Sequence, residues 1–288
     1  MTAVVGVLAA AFFVASSLTG PGSAPSTLKQ DLKKMEAAVL AAPDDLNLRL
    51  ALANLYLRAD RTAEALSQFQ EALVIDPKSE EALLGAGLAH QELGQTDRAI
   101  QAFVTIISQN KENPYGQLNR RLQAAHYRLG HIYREQGKLD EAVNELRLAL
   151  GMNRADADTL YELGLTFQAK GENADAGSAF EVALAYVPDF TEAYQGLAQA
   201  ARAEGDEVKA GYAEAMLLVF RGKVKDGVDR LEKLAPESDD SRVWWGLGYA
   251  YERLSRPEEA RQAYQRAVEI NPGERLAADA LERLQGPE

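Results

Sequence analysis

Two hydrophobic patterns divide the chain. From Ala3 to Leu18 (AVVGVLAAAFFVASSL) the side chains are apolar apart from Gly6 and two serines, and no charged residue precedes Lys29. A bilayer-spanning helix needs roughly 17–25 apolar residues, so this run predicts a single transmembrane anchor over residues 1–20 that meets the membrane through residues 3–19. A removed export signal is the alternative. The small residues Gly22-Ser23-Ala24 suit cleavage, whereas the missing basic region opposes it. Residues 21–27 read as a tether. Lys29, Lys33 and Lys34 follow the span, which favours a cytoplasmic domain. They equally suit the wet face of a first amphipathic helix, so the side of the membrane stays open.

From residue 28 onward the pattern changes to apolar positions at helical spacing, broken by short polar turns, and the expected class is all-α. A set of residue types recurs along it. Trp244, Leu247-Gly248, Tyr251, Ala260, Tyr264, Ala267 and Pro272 are echoed by Leu52, Tyr56, Ala65, Phe69, Ala72 and Pro77. Further copies run through Gly87, Ala99 and Phe103; Leu129-Gly130, Tyr133, Ala142 and Ala149; Leu163-Gly164, Phe167, Ala176, Phe180, Ala183 and Pro188; and Tyr194, Leu197 and Ala210. Small residues on one helix let a second approach closely, large ones fill the remaining space, and proline ends the second helix. Gly94, Gly137 and Gly171 stand at the turns.

With these columns the chain resembles the tetratricopeptide-repeat family. The resemblance implies a right-handed α-solenoid of stacked helix-turn-helix units across 28–288. Aligned columns start units near 46, 80, 123, 157, 191 and 241, with gaps of 34, 43, 34, 34 and 50 residues. Insertions therefore fall near 111–120, read as a loop, and 206–238, read as one additional helix. Residues 27–42 and 274–285 are expected to cover the two ends.

The resemblance also implies a concave groove lined by the first helix of each unit. Carried onto this chain, its lining is Asn54, Arg58, Leu84, Leu88, Gln91, Tyr127, His131, Arg134, Tyr161, Leu165, Gln168, Gln195, Gln199, Arg202, Trp245, Tyr249 and Glu252. These side chains could instead pack on neighbouring helices. The acidic chaperone-tail clamp known in the family is not expected, because only Asn54 and Arg128 match it.

Charge narrows the partners. A formal net charge of −12 argues against a nucleic-acid binder. Locally, Arg120, Arg121, Arg128 and Arg134 form a basic stretch where an acidic partner segment could dock, unless neighbouring acids balance it. No catalytic constellation is visible: there is no cysteine, and the three histidines are His90, His126 and His131. His90 and His126 fall in packing columns, and His126 and His131 lie on different helix faces. No enzyme activity, cofactor or metal is expected. The function expected is a membrane-anchored scaffold, an assembly factor or accessory subunit of a larger membrane complex, with an exported peptide-binding adaptor as the alternative.

Overall fold

The computed structural model describes residues 25–285. Residues 1–24, which carry the expected anchor, lie outside the described residues. The described residues form fifteen α-helices and no strand. In order they are α1 (Pro25–Ala41), α2 (Leu46–Arg58), α3 (Thr62–Ile75), α4 (Glu80–Glu92), α5 (Thr96–Gln109), α6 (Arg120–Glu135), α7 (Leu139–Met152) and α8 (Ala157–Lys170), then α9 (Asn173–Tyr186), α10 (Thr191–Glu204), α11 (Glu207–Phe220), α12 (Val224–Leu234), α13 (Ser241–Arg253), α14 (Pro257–Ile270) and α15 (Arg275–Gln285). None of these helices is long and apolar enough to cross a membrane.

The chain divides into two compact units. One runs to Gly116 and includes Arg120–Ala125; the other comprises Gln117–Asn119 and everything from His126. In the first, α1 packs on α2, α2 on α3, α3 on α4 and α4 on α5. Leu32 and Val39 of α1 are buried, while Lys29, Lys33 and Lys34 are exposed on its other face. The tether reading of 21–27 needs correction at its end, since Pro25–Thr27 belong to the first turn of α1. Proline is tolerated there because its missing N–H would have had no partner. The loop insertion likewise ends early: it contains a 3₁₀ turn, Gly116–Leu118, and α6 begins at Arg120.

Helix starts follow local chemistry. The Asp45 carboxylate accepts from the Asn47 and Leu48 N–H groups at 2.9 and 3.1 Å, and Asp206 accepts from Lys209 N–H at 2.9 Å. The turns need a left-handed residue, and Gly94, Gly137, Gly171, Gly205 and Gly222 supply it with φ between 71° and 81°. Asp60 and Ser255 hold the equivalent place in two hairpins at φ 57° and 58°.

What joins the hairpins is a wedge. Phe180, fully buried on α9, lies between Gly164 on α8 and Gly196 on α10: a methyl group on either glycine would come within 2.5 Å of its ring. Within single hairpins, Phe103 on α5 likewise faces Gly87 on α4, and Tyr264 on α14 faces Gly248 on α13, at 2.6 and 2.5 Å. Leu146 does so against Gly130 at 2.6 Å. Burying a side chain of this size contributes about 1.5–3 kcal/mol, and only the absence of a Cβ opposite makes room for it.

The second unit holds an odd helix, and the wedge identifies it. Phe180 and Tyr264 stand at one common offset from the unit starts at 157 and 241, but at that same offset from 191 stands Glu214, a carboxylate. The turn glycines tell the same story. A full repeat separates Gly137 from Gly171 and Gly171 from Gly205, whereas Gly222 follows Gly205 after only half a repeat. Moving the unit start to 208 brings Leu231, which is fully buried, to the wedge position. Helix α11 thus closes one hairpin against α10 and opens another with α12. It packs on α10, α12 and α13 and buries Tyr212, Ala213, Ala215, Met216 and Val219; a helix that is apolar around most of its circumference must be enclosed in this way. Across it, Arg242 on α13 pairs with Glu181 on α9 at 2.5 Å, and Lys209 on α11 reaches the same carboxylate at 3.2 Å. At the C-terminal end α15 packs on α14 and α13, burying Ala277 and Ala280.

The wedge predicts opposite outcomes for two glycines. Gly164→Ala should lower unfolding free energy by about 1–3 kcal/mol through overpacking against Phe180. Gly151→Ala, where a methyl group meets nothing within 4 Å, should leave it unchanged or raise it by up to about 1 kcal/mol. Urea denaturation followed by circular dichroism distinguishes them.

Candidate functional site

In the first unit the first-helix face is open between α2 and α4. A cavity of about 300 Å³ there is lined by Asn54 and Arg58 together with Leu50, Ala51, Leu55 and Glu81. Leu84, Leu88 and Gln91 of α4 are half-buried, and Gln91 Oε1 is buried without a hydrogen-bond partner among the described residues. His90, as its packing column implies, is buried and hydrogen-bonded through Nδ1 to Gln95 Oε1 at 2.7 Å.

In the second unit, bonds running from first helix to first helix tie α6, α8 and α10 together. Glu162, buried on α8, accepts Arg134 Nε at 2.5 Å and contacts His131 Nδ1 at 2.9 Å, both from α6. Burial opposes its ionisation, but the hydrogen bond from His131 and the charges of His131 and Arg134 outweigh burial and hold its carboxyl below the usual range. Gln168 Nε2 on α8 donates to the Gly196 carbonyl of α10 at 3.1 Å. Tyr161 packs at 5.0 Å from the Phe190 ring just before α10. Tyr127 and Leu165 are half-buried, and burial, then the Glu162 charge, pushes the Tyr127 hydroxyl up. Gln195, Gln199 and Arg202 of α10 are exposed.

On α13 the expected lining residues are engaged within the chain. Trp245 is only 6% exposed and stacks on Tyr249 at 5.7 Å. Tyr249 meets Phe220 at 5.2 Å, and Phe220 stacks on Tyr194 of α10 at 5.6 Å. Helix α11 carries Phe220 into contact with Tyr249, and both remain half-buried, as Tyr127 and Tyr161 are. Glu252 is engaged by the Tyr264 hydroxyl and by Arg283, each at 2.6 Å.

Two of the four arginines expected to receive an acidic segment already hold acids of this chain. Arg121 pairs with Glu81 at 2.7 Å and Arg134 with Glu162. Arg128 is half-buried beside the Tyr127 ring, 5.6 Å away, and burial lowers its pKa. Arg120 is exposed. His126 is buried against Glu145 at 2.6 Å, and the described residues hold no cluster of three or more metal-ligating side chains. Glu162 was not among the expected site residues. The sign of it was a carboxylate in a column that Gly85, Gly196 and Gly246 occupy elsewhere.

Family models described as tetratricopeptide or TPR repeats match residues 32–80, 57–122, 130–171 and 212–275. The chain belongs to the tetratricopeptide-repeat proteins. Protein CTR9 homolog of Arabidopsis thaliana is 23% identical over 88% of this chain and 25% of its own length. BBSome complex member BBS4 of Bos taurus is 27% identical over 66% and 36%. The chain therefore spans about a quarter to a third of these curated relatives. Among solved structures, the APC/C hetero-tetramer Cut9-Hcn1 matches with a TM-score of 0.51 at 21% identity, over 90% of this chain and 46% of that one; at this identity the likeness concerns the fold.

The Glu162 cluster gives a pH prediction. A carboxyl whose folded pKa is depressed contributes stability that is complete above the unfolded value and is lost as pH falls through the folded one. Glu162→Gln should cost about 1.5–3 kcal/mol at neutral pH. It should also flatten the acid limb of the stability profile below the ordinary carboxylate range, as read from urea midpoints at successive pH values.

Proposed function

We propose that this chain is a non-enzymatic scaffold that holds a segment of a partner protein on the first-helix face of α6, α8 and α10. The observation that carries the reading is the set of cross-helix bonds at Glu162 and Gln168, which hold three helices in fixed register beside half-buried Tyr127, Tyr161 and Leu165 and exposed Gln195 and Gln199. A rigid face with aromatic area and free amides recognises a partner without first having to order itself. The Asn54 and Arg58 cavity offers a second contact in the first unit.

The apolar run from Ala3 to Leu18 supports a single-pass membrane protein, and with it the role of assembly factor or accessory subunit of a membrane complex. That one relative is named as a member of a complex supports the subunit reading. The exposed lysines of α1 favour a cytoplasmic repeat domain. An exported adaptor that has lost its N-terminal segment is the second reading, favoured by Gly22-Ser23-Ala24.

Purified in detergent from its native membranes, the full chain should bring a partner with it; consistent recovery alone would count against the scaffold. The intact mass of the same material separates the two readings: an unprocessed N-terminus supports the anchor, and loss of about the first 24 residues supports export. Tyr127→Ala combined with Tyr161→Ala should weaken partner retention by about tenfold or more with the helical spectrum preserved.

A further inference from the structure

The hairpin of α4 and α5 departs from the repeat at three neighbouring positions. The column filled by Leu52, Leu129, Leu163, Leu197 and Leu247 holds Ala86 in α4, and the aromatic column of Tyr56, Tyr133, Phe167 and Tyr251 holds His90. In the first turn of the second helix, where four other hairpins place Glu64, Glu141, Asp175 and Glu259, stands Arg98 of α5. The helix dipole favours a carboxylate at that place and disfavours a cation, so Arg98 stands against the field of its own helix.

A cavity of about 490 Å³ opens where the large side chains are missing, within the range of about 300–1,000 Å³ of small-molecule sites. Leu83 and Ala86 of α4, Leu73 of α3 and Ala102 of α5 give it an apolar lining, and His90, Arg98 and Gln101 give it a polar edge. The flanking helices cannot close over the gap. Phe69 of α3 already meets Gly85, and Phe103 of α5 already meets Gly87, so the volume lost at Ala86 stays open.

Arg98 is the one formal charge lining this cavity among the described residues. On the surrounding elements Glu64, Glu71, Glu80 and Glu81 engage Arg61, Arg49, Asn110 and Arg121, and Asp76 accepts from the Lys78 N–H. Lys78, Glu92 and Asp97 are exposed and do not line it. The Arg98 guanidinium is bonded to no carboxylate among the described residues; it meets the Gln95 amide oxygen at 3.4 Å, which also accepts from His90 Nδ1 at 2.7 Å. That contact places a cation at the rim without neutralising it. Gln101 is exposed beside it, three residues along the same face of α5.

We infer that this cavity, separate from the one at Asn54 and Arg58, binds a small aliphatic monocarboxylate. A planar guanidinium takes a carboxylate through paired hydrogen bonds, with the Gln101 amide as a further donor. Leu73, Leu83, Ala86 and Ala102 enclose the tail, and His90, held back by Gln95, leaves room that an aromatic ring would fill.

The test titrates the full chain, isotopically labelled at its alanine and leucine methyl groups, with hexanoate, butanoate and hexanol. Hexanoate should shift the Ala86 and Leu83 methyl resonances saturably. Butanoate, two methylenes shorter, should bind about tenfold more weakly, and uncharged hexanol also about tenfold more weakly. Arg98→Gln should bring hexanoate down to the level of hexanol. Ala86→Leu, which installs the residue of five other units, should abolish the Leu83 shift with the helical spectrum preserved; should that variant not fold, Arg98→Gln decides. Equal binding of hexanoate and hexanol, indifference to Arg98→Gln, or no saturable shift overturns the inference. A peptide ending in leucine that binds more than about tenfold tighter than hexanoate, and whose amidated form does not bind, gives the site to a partner's C-terminus and overturns it as well. None of these outcomes bears on the α6, α8 and α10 face.

Discussion

Phe180 sits in a space that exists only because Gly164 and Gly196 lack side chains, and each of those glycines belongs to a different hairpin. Its ring therefore cannot be buried by its own hairpin alone. Phe69 repeats the arrangement in the first unit, where it lies against Gly85 of the following hairpin. Hairpins so joined have little stability singly and gain it by stacking, which is the thermodynamic signature of a repeat protein. The exposed polar faces are free to vary because this fit does not use them.

The same constraint explains where regularity fails. At Glu214 a carboxylate replaces the wedge, and a charge cannot be pushed between two helices unless it is paired. Arg202 and Arg230 supply the pairing, while the neighbouring faces of α11, bearing Tyr212, Met216 and Val219, take up apolar contact instead. Helix α11 is thereby shared between two hairpins. At the far end of the helix, Phe220 packs between Tyr194 of α10 and Tyr249 of α13.

Most of the fold was legible in the sequence because the fit demands particular residue types at fixed intervals: Gly130, Gly164 and Gly248 opposite Leu146, Phe180 and Tyr264 report their own pairing. The added helix could be counted from the wide spacing between the unit starts at 191 and 241, but which helix was shared could not be read from it. Ala210 suits one register and Gly227 with Leu231 the other, so only packing decides between them. The proposed docking face corresponds to positions on α6, α8 and α10 that the repeat columns mark in the sequence. The packing of Trp245 and Tyr249 was not legible, since it depends on the Phe220 ring, which a different helix contributes. Nor were the partners of Arg121 and Arg134 visible, because a local excess of basic residues says nothing about acids that arrive from elsewhere in the chain.

Those internal pairs bear on how such a face can bind at all. In a chain with a formal charge of −12, arginines left open on a docking face would be drawn to the molecule's own carboxylates, and the structure has already made that choice at Glu81, Glu162 and Glu214. The paired charges now serve rigidity by locking α6 to α8 and α10 to α11, while the Gln168 amide bonded to the Gly196 carbonyl ties α8, with Tyr161, to α10, with Gln195 and Gln199. A partner docking on the proposed face would meet a fixed template, a mode in which little side-chain freedom remains to be lost when the guest arrives.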